Sequence, residues 1–447
     1  MIFSSLEFIF RFLPVFLAVY FAVPRSWKNW VLLGGSLYFY IHGTLGHPFY
    51  TVLLLLAAAS AYGCGRGMEK SRSGTGKKLW LFLGLGYSLG LLVVFKCRDL
   101  LPLGISFYTF QVCSYLMDVY RGTVPAEHSP FRMGAYVCMF PQLLSGPLVR
   151  YGAVLEELGN REHTAEQVEE GLRTFTVGLG MKVLIANQVG NLWRQTWAIG
   201  FESISTPMAW LGLLAYALQI YFDFFGYSLM ASGLGRIMGF HFPDNFRSPY
   251  LSVSMTEFWR RWHMTLGAWF RDYVYIPLGG SRGGMGRTLR NLLAVWLLTA
   301  FWHGAGWNFM LWGILMFALI AVEKLGLMKF LEKYRPAGHL YAVFWILMGW
   351  LVFAVEDMGM LKIYLQRLFP FLGGTPAAVF AGDYLKYGRI YGASLILGLL
   401  CAGGLPLKLA RGRKYRILTA AVLLAVFWAS AYGVWKGMDD PFLYFSF

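Results

Sequence analysis

The chain consists of long apolar blocks separated by short basic segments, and this pattern constrains its fold more than any other feature. Many blocks run for about 15 to 20 residues, roughly the length that a helix needs to cross a hydrocarbon layer of about 30 Å. Of the 447 residues, 57% are hydrophobic and 14% are charged, whereas soluble domains carry about 25% charged residues. A water-soluble globule is therefore excluded, and the sequence predicts an all-α, polytopic bundle of transmembrane helices.

The apolar blocks predict about eleven transmembrane spans. They lie near residues 6–23, 29–41, 48–64, 79–95, 132–148, 171–190, 208–236, 289–320, 340–355, 384–404 and 416–435. Two further stretches, residues 100–120 and 246–280, are interrupted by proline and glycine or are rich in tryptophan and arginine. Such backbone is tolerated at membrane depth where it is buried in protein or lines a cavity. We expect re-entrant or interfacial helices there, and with them a functional site.

The sequence contains no internal repeat, low-complexity tract or long polar linker. Residues 1–447 are therefore predicted to form a single membrane-embedded domain. In the polar stretch 156–173, Thr164 precedes Gln167 by three residues, which matches a capping box at a helix N-terminus. We expect a short surface helix at this point.

The formal net charge is +16, which in a soluble chain would indicate nucleic-acid binding. Here the lysines and arginines lie between apolar blocks, as they do in the cytoplasmic loops of membrane proteins. The densest clusters are Arg66, Lys70, Arg72, Lys77 and Lys78, then Arg282, Arg287 and Arg290, then Lys408, Arg411, Arg413, Lys414 and Arg416. The pattern predicts a multi-pass protein of the cytoplasmic membrane that contacts the lipid bilayer and no nucleic acid.

Neither a metal centre nor a bound cofactor is predicted. The five cysteines form no C-x-x-C pair, and the sequence has no P-loop or H-E-x-x-H motif. Residues 279–283 match the G-x-S-x-G pattern of serine hydrolases, but Pro277 and the flanking basic residues predict a loop where that pattern needs a strand and a helix. ATP-driven transport and metallohydrolysis therefore lack support.

Charged and aromatic side chains are mixed in residues 258–273, within the second irregular stretch. A charge at the centre of a span costs about 2.5 to 3.5 kcal/mol on insertion scales, so such residues usually face a bundle interior or water. An interfacial belt of tryptophans and extended arginines explains the pattern equally well. The candidate site residues here are Trp259, Arg260, Trp262, His263, Arg271 and Asp272.

His303 lies in an apolar run with no formal charge nearby. Burial disfavours the charged imidazole, and the neutral ring is the form that a general base requires. Gly304 and Gly306 leave room for a ligand or another helix to approach. The alternative is a structural histidine bonded to a backbone carbonyl. Trp302 and Asn308 complete this second group of candidates.

Asp223 places a carboxylate in a long apolar helix. Acids within a membrane are candidate functional residues by default, because burying a charge there is costly. Three roles remain open from the sequence: orienting a histidine, pairing with one of the arginines, or carrying a proton.

Six segments in the same order resemble the membrane-bound O-acyltransferase family, in particular the bacterial branch that includes the alginate O-acetyltransferase membrane subunit. The resemblance extends over nearly the whole chain, and the segments that carry it are residues 1–5, 102–111, 140–143, 258–280, 302–305 and 440–445. Gln142, in the third segment, joins the candidate tunnel residues.

The resemblance implies a helical bundle that encloses a tunnel, where a cytoplasmic thioester donor meets an acceptor from the other face. His303 matches the essential histidine of the family and His263 the assisting one. The implied donor is acetyl-CoA or an acyl-carrier thioester. We hypothesise that His303 takes the proton of an acceptor hydroxyl as it attacks the thioester carbonyl. The implied partner is an extracytoplasmic transferase or the exported polysaccharide that accepts the acyl group.

The sequence departs from the alginate-type pattern at Phe225 and Leu229, where a small residue and an acid are expected. An apolar residue at position 229 is more similar to the D-alanyl transfer protein of teichoic acid modification, whose donor is a carrier-protein thioester. D-alanyl transfer is therefore the first alternative function. Alternatives from another class are a glycan or lipid transporter and a membrane scaffold for a secreted transferase.

Overall fold

The computed structural model describes residues 1–98, 101–373, 378–412 and 416–437, except for the side chain of Arg411. Helices form all the regular structure of these residues, and the described ranges contain no strand. The all-α prediction is confirmed. The sixth segment of the family resemblance, residues 440–445, lies outside the described residues.

The helices pack into two compact units. The first comprises Met1–Gly178 and Tyr227–Asp244, and the second comprises Leu179–Gly226 and Asn245–Phe447. The helix Thr206–Ile237 contributes residues to both units. One membrane-embedded domain spanning residues 1–447 stays a prediction.

The described part of the first unit contains the helices named below and the end of the helix Thr206–Ile237, some of them joined by short 3-10 or π-helical segments. They are α1 (Leu13–Ala22), α2 (Lys28–Gly43), α3 (Pro48–Lys70), α4 (Gly74–Lys96), α5 (Ile105–Arg121), α6 (Pro130–Cys138), α7 (Phe140–Leu143), α8 (Tyr151–Gly159) and most of α9 (Ala165–Gly180). The additional segments are Phe8–Phe12 and Arg25–Trp27.

The second unit begins with the last two residues of α9, which continues directly into the π-helical segment Met181–Ala186. Its helices are α10 (Asn187–Ile199), α11 (Thr206–Ile237), α12 (Met255–Arg261), α13 (Met264–Phe270), α14 (Met285–His303), α15 (Trp307–Val322), α16 (Met328–Lys333), α17 (Arg335–Ala354), α18 (Met358–Leu368), α19 (Asp383–Ala402), α20 (Leu405–Arg411) and α21 (Arg416–Trp435). Shorter segments are Pro249–Leu251, Arg271–Tyr275, Glu323–Leu327 and Pro370–Leu372.

Among the described residues, five helices are long and apolar enough to cross a membrane: α3, α4, α11, α17 and α21. They differ in how much protein surrounds them. In the most apolar window of α11, 83% of the residues are buried, whereas the corresponding figure is 17% in α4 and in α21. A helix that is apolar on all sides is buried in protein or faces lipid. The second unit is therefore built around the first part of α11, and α4 and α21 have lipid-facing surfaces.

Two apolar blocks that the sequence predicts as single spans are each broken into two helices. The block 132–148 divides at Met139, where ψ is 109° and α6 gives way to α7. The block 289–320 divides at Gly304, whose φ of −178° and ψ of 164° are extended. Glycine or proline residues lie at or just after each break, and neither residue type favours a continuous helix. The second break leaves His303 as the last residue of α14.

The capping box at Thr164 is present in the structure. The backbone N–H of Gln167 donates to the Thr164 hydroxyl at 3.1 Å, and the N–H of Thr164 donates to the Gln167 side-chain oxygen at 3.0 Å. The helix that it opens is not short, however, because α9 runs 16 residues and continues into the π-helical segment. The cap marks where a helix begins, and packing of its apolar residues decides where it ends.

Candidate active site

The stretch between α11 and α14 is held in place by two carboxylates. Ser254 caps the start of α12, where its hydroxyl accepts from the Glu257 N–H at 3.1 Å. The Glu257 carboxylate accepts in turn from the Val253 N–H at 2.8 Å. Glu323, fully buried, accepts from the backbone N–H groups of Met255 at 2.6 Å and Thr256 at 2.8 Å. A carboxylate at a helix N-terminus satisfies amides that have no partner within the helix. Helix α12 is thereby fixed at its N-terminal end.

His263 occupies the corner between α12 and α13 in an unusual backbone conformation. Its φ of 43° and ψ of 51° lie in the left-handed region, which costs roughly 1–2 kcal/mol for a residue with a Cβ atom. The following amide, Met264 N–H, donates to the backbone oxygen of Asn245 at 2.9 Å and holds the corner closed. Strain of this kind persists where surrounding contacts enforce it, and it clusters at functional sites.

The side chain of Asn245 determines the tautomer of His263. Its Oδ1 atom accepts from the hydroxyl of Thr265 at 2.9 Å and from the Thr265 N–H at 3.3 Å. The same oxygen lies 3.1 Å from Nδ1 of His263. Because an amide oxygen carries no hydrogen, Nδ1 is the donor, and a neutral ring then has its lone pair on Nε2. Burial lowers the pKa of His263 below its ordinary value, which favours this neutral ring.

His303 lies at the C-terminal end of α14 in an aromatic surrounding. Its ring meets Trp312 at 5.2 Å and Phe353 at 5.0 Å between centroids, edge to face in both cases. The side chain is half-buried. Gly304 brings the chain close to Phe309, because a Cβ atom on this glycine would collide with the Phe309 ring. The aromatic contacts restrict the imidazole while one side remains accessible.

The two histidines line one cavity of about 670 Å³ within the second unit. This volume is in the range of about 300 to 1,000 Å³ that is usual for small-molecule sites. Seven of the residues singled out from the sequence line it: His303, His263, Asp223, Trp259, Arg260, Trp262 and Arg271. The lining residues extend along the chain from Ile220 to Phe353, so parts of the chain that are far apart in sequence meet around one space.

The other four candidates lie outside the cavity lining. Asp272 binds the guanidinium of its neighbour Arg271, with Nε to Oδ1 at 2.6 Å and Nη2 to Oδ2 at 3.0 Å. Trp302 packs against His303, with 4.7 Å between ring centroids. The buried Asn308 amide donates to the Phe353 carbonyl at 3.2 Å. Gln142 belongs to the first unit, where its amide donates to the backbone oxygen of Tyr136 at 2.6 Å.

Asp223 forms a buried ion pair with Lys182. Both side chains are almost fully buried, and Lys182 lies in the π-helical segment that precedes α10. Of the three roles that the sequence left open, pairing with a cation is therefore observed, but the partner is a lysine and not one of the predicted arginines. A buried charge requires a partner close by, and the lone lysine in the apolar block 171–190 was the signal that could have identified it.

Three tryptophans form a contiguous aromatic wall of the cavity. Trp259 lies 5.0 Å from Trp296 and 5.5 Å from Trp312, and the last two lie 5.6 Å apart, all measured between ring centroids. All three line the cavity. Only Trp259 was singled out from the sequence, because tryptophans in an apolar helix are indistinguishable from ordinary core residues before the fold is known.

The part of the chain that the structure describes contains no group of three His, Cys, Asp or Glu side chains that could hold a metal ion. What the site offers is two imidazoles, an aromatic wall and two arginine side chains. These groups suit proton transfer and the binding of a polar ligand in an apolar space. The fold and the site together define an all-helical membrane protein with a histidine-containing ligand cavity.

Comparison with known proteins identifies the family. The chain matches the membrane-bound O-acyltransferase family over residues 123–356. It is 34% identical to the probable alginate O-acetylase of Pseudomonas putida over the whole length of both chains. It is 33% identical to the peptidoglycan O-acetyltransferase of Helicobacter pylori, with 72% of this chain and 70% of that protein covered. It is 28% identical to the teichoic acid D-alanyltransferase of Bacillus subtilis, with 47% of this chain and 56% of that protein covered.

The chain belongs to the membrane-bound O-acyltransferase family. It is a multi-pass membrane enzyme that transfers an acyl group from a thioester donor to a hydroxyl, as the resemblance predicted. The transporter and scaffold alternatives are set aside by this result.

Proposed function

We propose that the protein transfers an acetyl group from cytoplasmic acetyl-CoA towards a hydroxyl of an exported cell-surface polysaccharide. Two relatives named for O-acetylation support acetyl as the group transferred, one of them over its full length. The name of the first relative refers to alginate, and we therefore propose a polysaccharide of this kind as the acceptor. The single observation that carries the proposal is the cavity lined by both His263 and His303.

In the proposed reaction, His303 acts as the general base. It removes the proton of the acceptor hydroxyl, the oxygen attacks the thioester carbonyl, and the carbon–sulfur bond breaks to release the CoA thiolate. The proton then passes to the thiolate, so that the products are an ester and free CoA. General-base assistance of this kind contributes about 10²- to 10⁴-fold in rate. The aromatic rings around the half-buried His303 restrict the orientation of its imidazole.

His263 is proposed to position a reactant instead of taking the proton itself. With Nδ1 bound to Asn245, its Nε2 atom can accept a hydrogen bond from the acceptor hydroxyl or from the pantetheine amide of the donor. Arg260 and Arg271 at the cavity lining can bind the phosphates of the donor. Positioning of two reactants in a closed space supplies several kcal/mol of the required acceleration, roughly 7 to 11 in the best cases.

The path of the two substrates is part of the same proposal. We infer that about eleven spans enclose a tunnel in which the donor enters from the cytoplasm and the acceptor group leaves on the other side. The cavity lined by the two histidines would be part of this tunnel, and Trp302, Asn308 and Asp272 would support its walls. An extracytoplasmic transferase would carry the acetyl group onwards to the polysaccharide.

The test compares the esters on cell-surface polymers in a strain that lacks the gene. The strain is complemented with the native protein, His303→Ala, His263→Ala or the control His47→Ala, at matched amounts in the membrane. His47 is an exposed histidine of the first unit, so its substitution matches the change without touching the cavity. The acid released by mild alkali is identified in the same samples.

We expect acetate to be restored by the native protein and by His47→Ala, and to remain at the level of the deletion strain with His303→Ala. Restoration of acetate by His303→Ala would contradict the proposed role of this residue. D-alanine in place of acetate would establish the alternative that Leu229 and the Bacillus subtilis relative favour.

A further inference from the structure

The first unit contains a cluster of basic side chains, none of which lines the cavity of the acyl-transfer site. Lys28 and Arg161 are only 7% and 6% exposed, although long charged side chains are rarely so buried. Both lie against the ring of Tyr20, with Nζ of Lys28 at 4.7 Å and Cζ of Arg161 at 5.9 Å from its centroid. The ring of His163 meets the same tyrosine at 5.6 Å. We call Lys28, Arg161 and His163 the basic cluster.

Three segments of the first unit bring the basic cluster together. Tyr20 is near the end of α1, and its hydroxyl donates to the backbone oxygen of Met238 at 2.8 Å, which fixes the ring. Lys28 is the first residue of α2, and Arg161 and His163 lie between α8 and α9. The cluster is therefore formed where helices end, and not by side chains that happen to extend from one surface helix.

The positive charges of the cluster are not neutralised by a bound carboxylate. Throughout the described residues, neither Lys28 nor Arg161 forms an ion pair with Asp or Glu. Glu157 acts on Arg161 electrostatically, but its carboxylate accepts from Nδ1 of His241 at 2.7 Å and is engaged there. Buried charges without a counter-ion are strongly unfavourable.

The cluster also contains buried hydrogen-bond donors that the described part of the protein does not satisfy. Nη1 of Arg161 and both ring nitrogens of His163 are buried and have no hydrogen-bond partner there. Burial and then the charges of Lys28 and Arg161 lower the pKa of His163, so the ring is neutral and can still donate one N–H. The Tyr20 hydroxyl, which interacts with the Arg161 side chain, and aromatic faces compensate part of the charge, and Arg161 also lies 4.5 Å from the ring of Phe240. A ring face, however, is a poor substitute for oxygen acceptors.

We propose that the basic cluster is a phosphate-binding site that holds the headgroup of an anionic phospholipid. Phosphate oxygens match the guanidinium fork of Arg161 and the ammonium group of Lys28 in both charge and acceptor geometry. The neighbouring surface is apolar and aromatic, since Phe21, Trp27 and Trp30 are 42%, 59% and 44% exposed. Exposed tryptophans beside basic residues are typical of the membrane–water interface, where lipid phosphates lie.

The experiment measures ligand binding to the full-length protein, delipidated in detergent, by native mass spectrometry. Phosphatidylglycerol and coenzyme A are the two phosphate-bearing probes, and phosphatidylcholine tests whether net anionic charge is required. The variant Lys28→Gln/Arg161→Gln removes the two permanent charges of the cluster. The control Arg72→Gln/Lys77→Gln removes two exposed charges of the same unit.

We expect phosphatidylglycerol to bind the cluster variant about tenfold more weakly than the native protein, a change of about one decade in Kd. The control should bind as the native protein does, and coenzyme A should be unaffected in both. Loss of coenzyme A binding in the cluster variant alone would keep the phosphate site but assign its phosphate to the donor. Unchanged binding of both probes would overturn the proposal and leave the cluster as cation–π packing.

A second variant covers the case in which the double substitution prevents folding. Lys28→Met removes one buried charge and keeps an unbranched side chain that is one atom shorter. A ligand that binds only the folded state raises the melting temperature, so phosphatidylglycerol should raise that of the native protein and raise that of Lys28→Met much less. An equal rise in both proteins would contradict the proposal.

Discussion

Asn245 controls the chemistry of His263 although it binds no substrate in the proposed mechanism. Its side-chain oxygen accepts from the His263 ring, from the Thr265 hydroxyl and from the Thr265 amide. The same residue accepts the Met264 amide through its backbone oxygen. One asparagine therefore holds both the left-handed corner and the tautomer, which makes it a positioning residue.

We predict that Asn245→Ala lowers acyl transfer by about tenfold or more, because a misplacement of about 1 Å in a site can cost up to 10²-fold. Asn245→Asp should retain more activity, since a carboxylate still accepts from Nδ1. A carboxylate also raises the pKa of a neighbouring histidine, so the neutral ring is reached only at higher pH. The acidic limb of the pH–rate profile should then move to higher pH.

The control for this substitution is Asn160→Ala, at an exposed position of the first unit. It should leave both the rate and the profile unchanged. Equal loss in Asn245→Ala and Asn245→Asp with no shift in the profile would indicate a merely structural role for Asn245.

At this scale, the sequence identified the side chains with costly chemistry but not their partners. His263, His303 and Asp223 stand out because a polar group in apolar surroundings requires an explanation. Asn245 precedes His263 by 18 residues in the sequence, and Lys182 precedes Asp223 by 41 residues. Such pairing depends on tertiary packing, which a single sequence does not reveal.

Helices α14 and α15 show how small residues position the site. A Cβ atom on Gly313 would lie 2.7 Å from the Cβ of Ala300 and 2.9 Å from the Trp296 carbonyl. The two helices therefore approach each other closely one turn before the end of α14, where His303 lies. Small residues at helix contacts allow this approach in membrane proteins.

We predict that Gly313→Ala destabilises the protein by about 1–3 kcal/mol, the usual effect of overpacking. It should also reduce acyl transfer by separating α14 from α15. Gly392 in α19 provides the matched control, since a Cβ atom at this position would have no other group within 4 Å. Gly392→Ala should be neutral or stabilise by about 0.5–1 kcal/mol through the higher helix propensity of alanine.

The measurements for this pair are melting temperature in detergent and rate of transfer at matched protein amount. A Gly313→Ala protein as stable and active as Gly392→Ala would show that the close contact is dispensable.

Element boundaries could be predicted where a local signal sets them. The capping box at Thr164 depends only on residues three apart, and it appears as expected. The division of residues 289–320 was missed, because the run stays apolar on both sides of residues 304–306 and hydropathy averages across them. The length of α9 was missed for the related reason that packing, and not its polar first turns, sustains it.

At the scale of the whole molecule, hydropathy gives the class of protein and charge gives its orientation. The five candidate spans were all among the predicted blocks. Helix α3 is one of them, and the basic loop that follows it was predicted to be cytoplasmic by the excess of lysine and arginine. His47 precedes α3 and Arg72 follows it, and both residues are exposed. Reagents applied to one side of the membrane can therefore distinguish the two ends of this span.

We predict that single cysteines at these two positions are labelled from opposite sides of the membrane. In a Cys97→Ser background, which removes the exposed native cysteine, Arg72→Cys should react with an impermeant maleimide only in inverted vesicles. His47→Cys should react only in intact spheroplasts. Labelling of both from the same side would contradict the assignment of α3 as a membrane span.

The most direct test of the central claim, that acyl transfer takes place in the cavity containing His303, is the rate of CoA release from acetyl-CoA. Inverted membrane vesicles are prepared from the deletion strain complemented with the native protein, His303→Ala or His47→Ala, and the released thiol is measured. We predict equal rates for the native protein and His47→Ala, and a rate lower by about 10²-fold or more with His303→Ala. An undiminished rate with His303→Ala would contradict it.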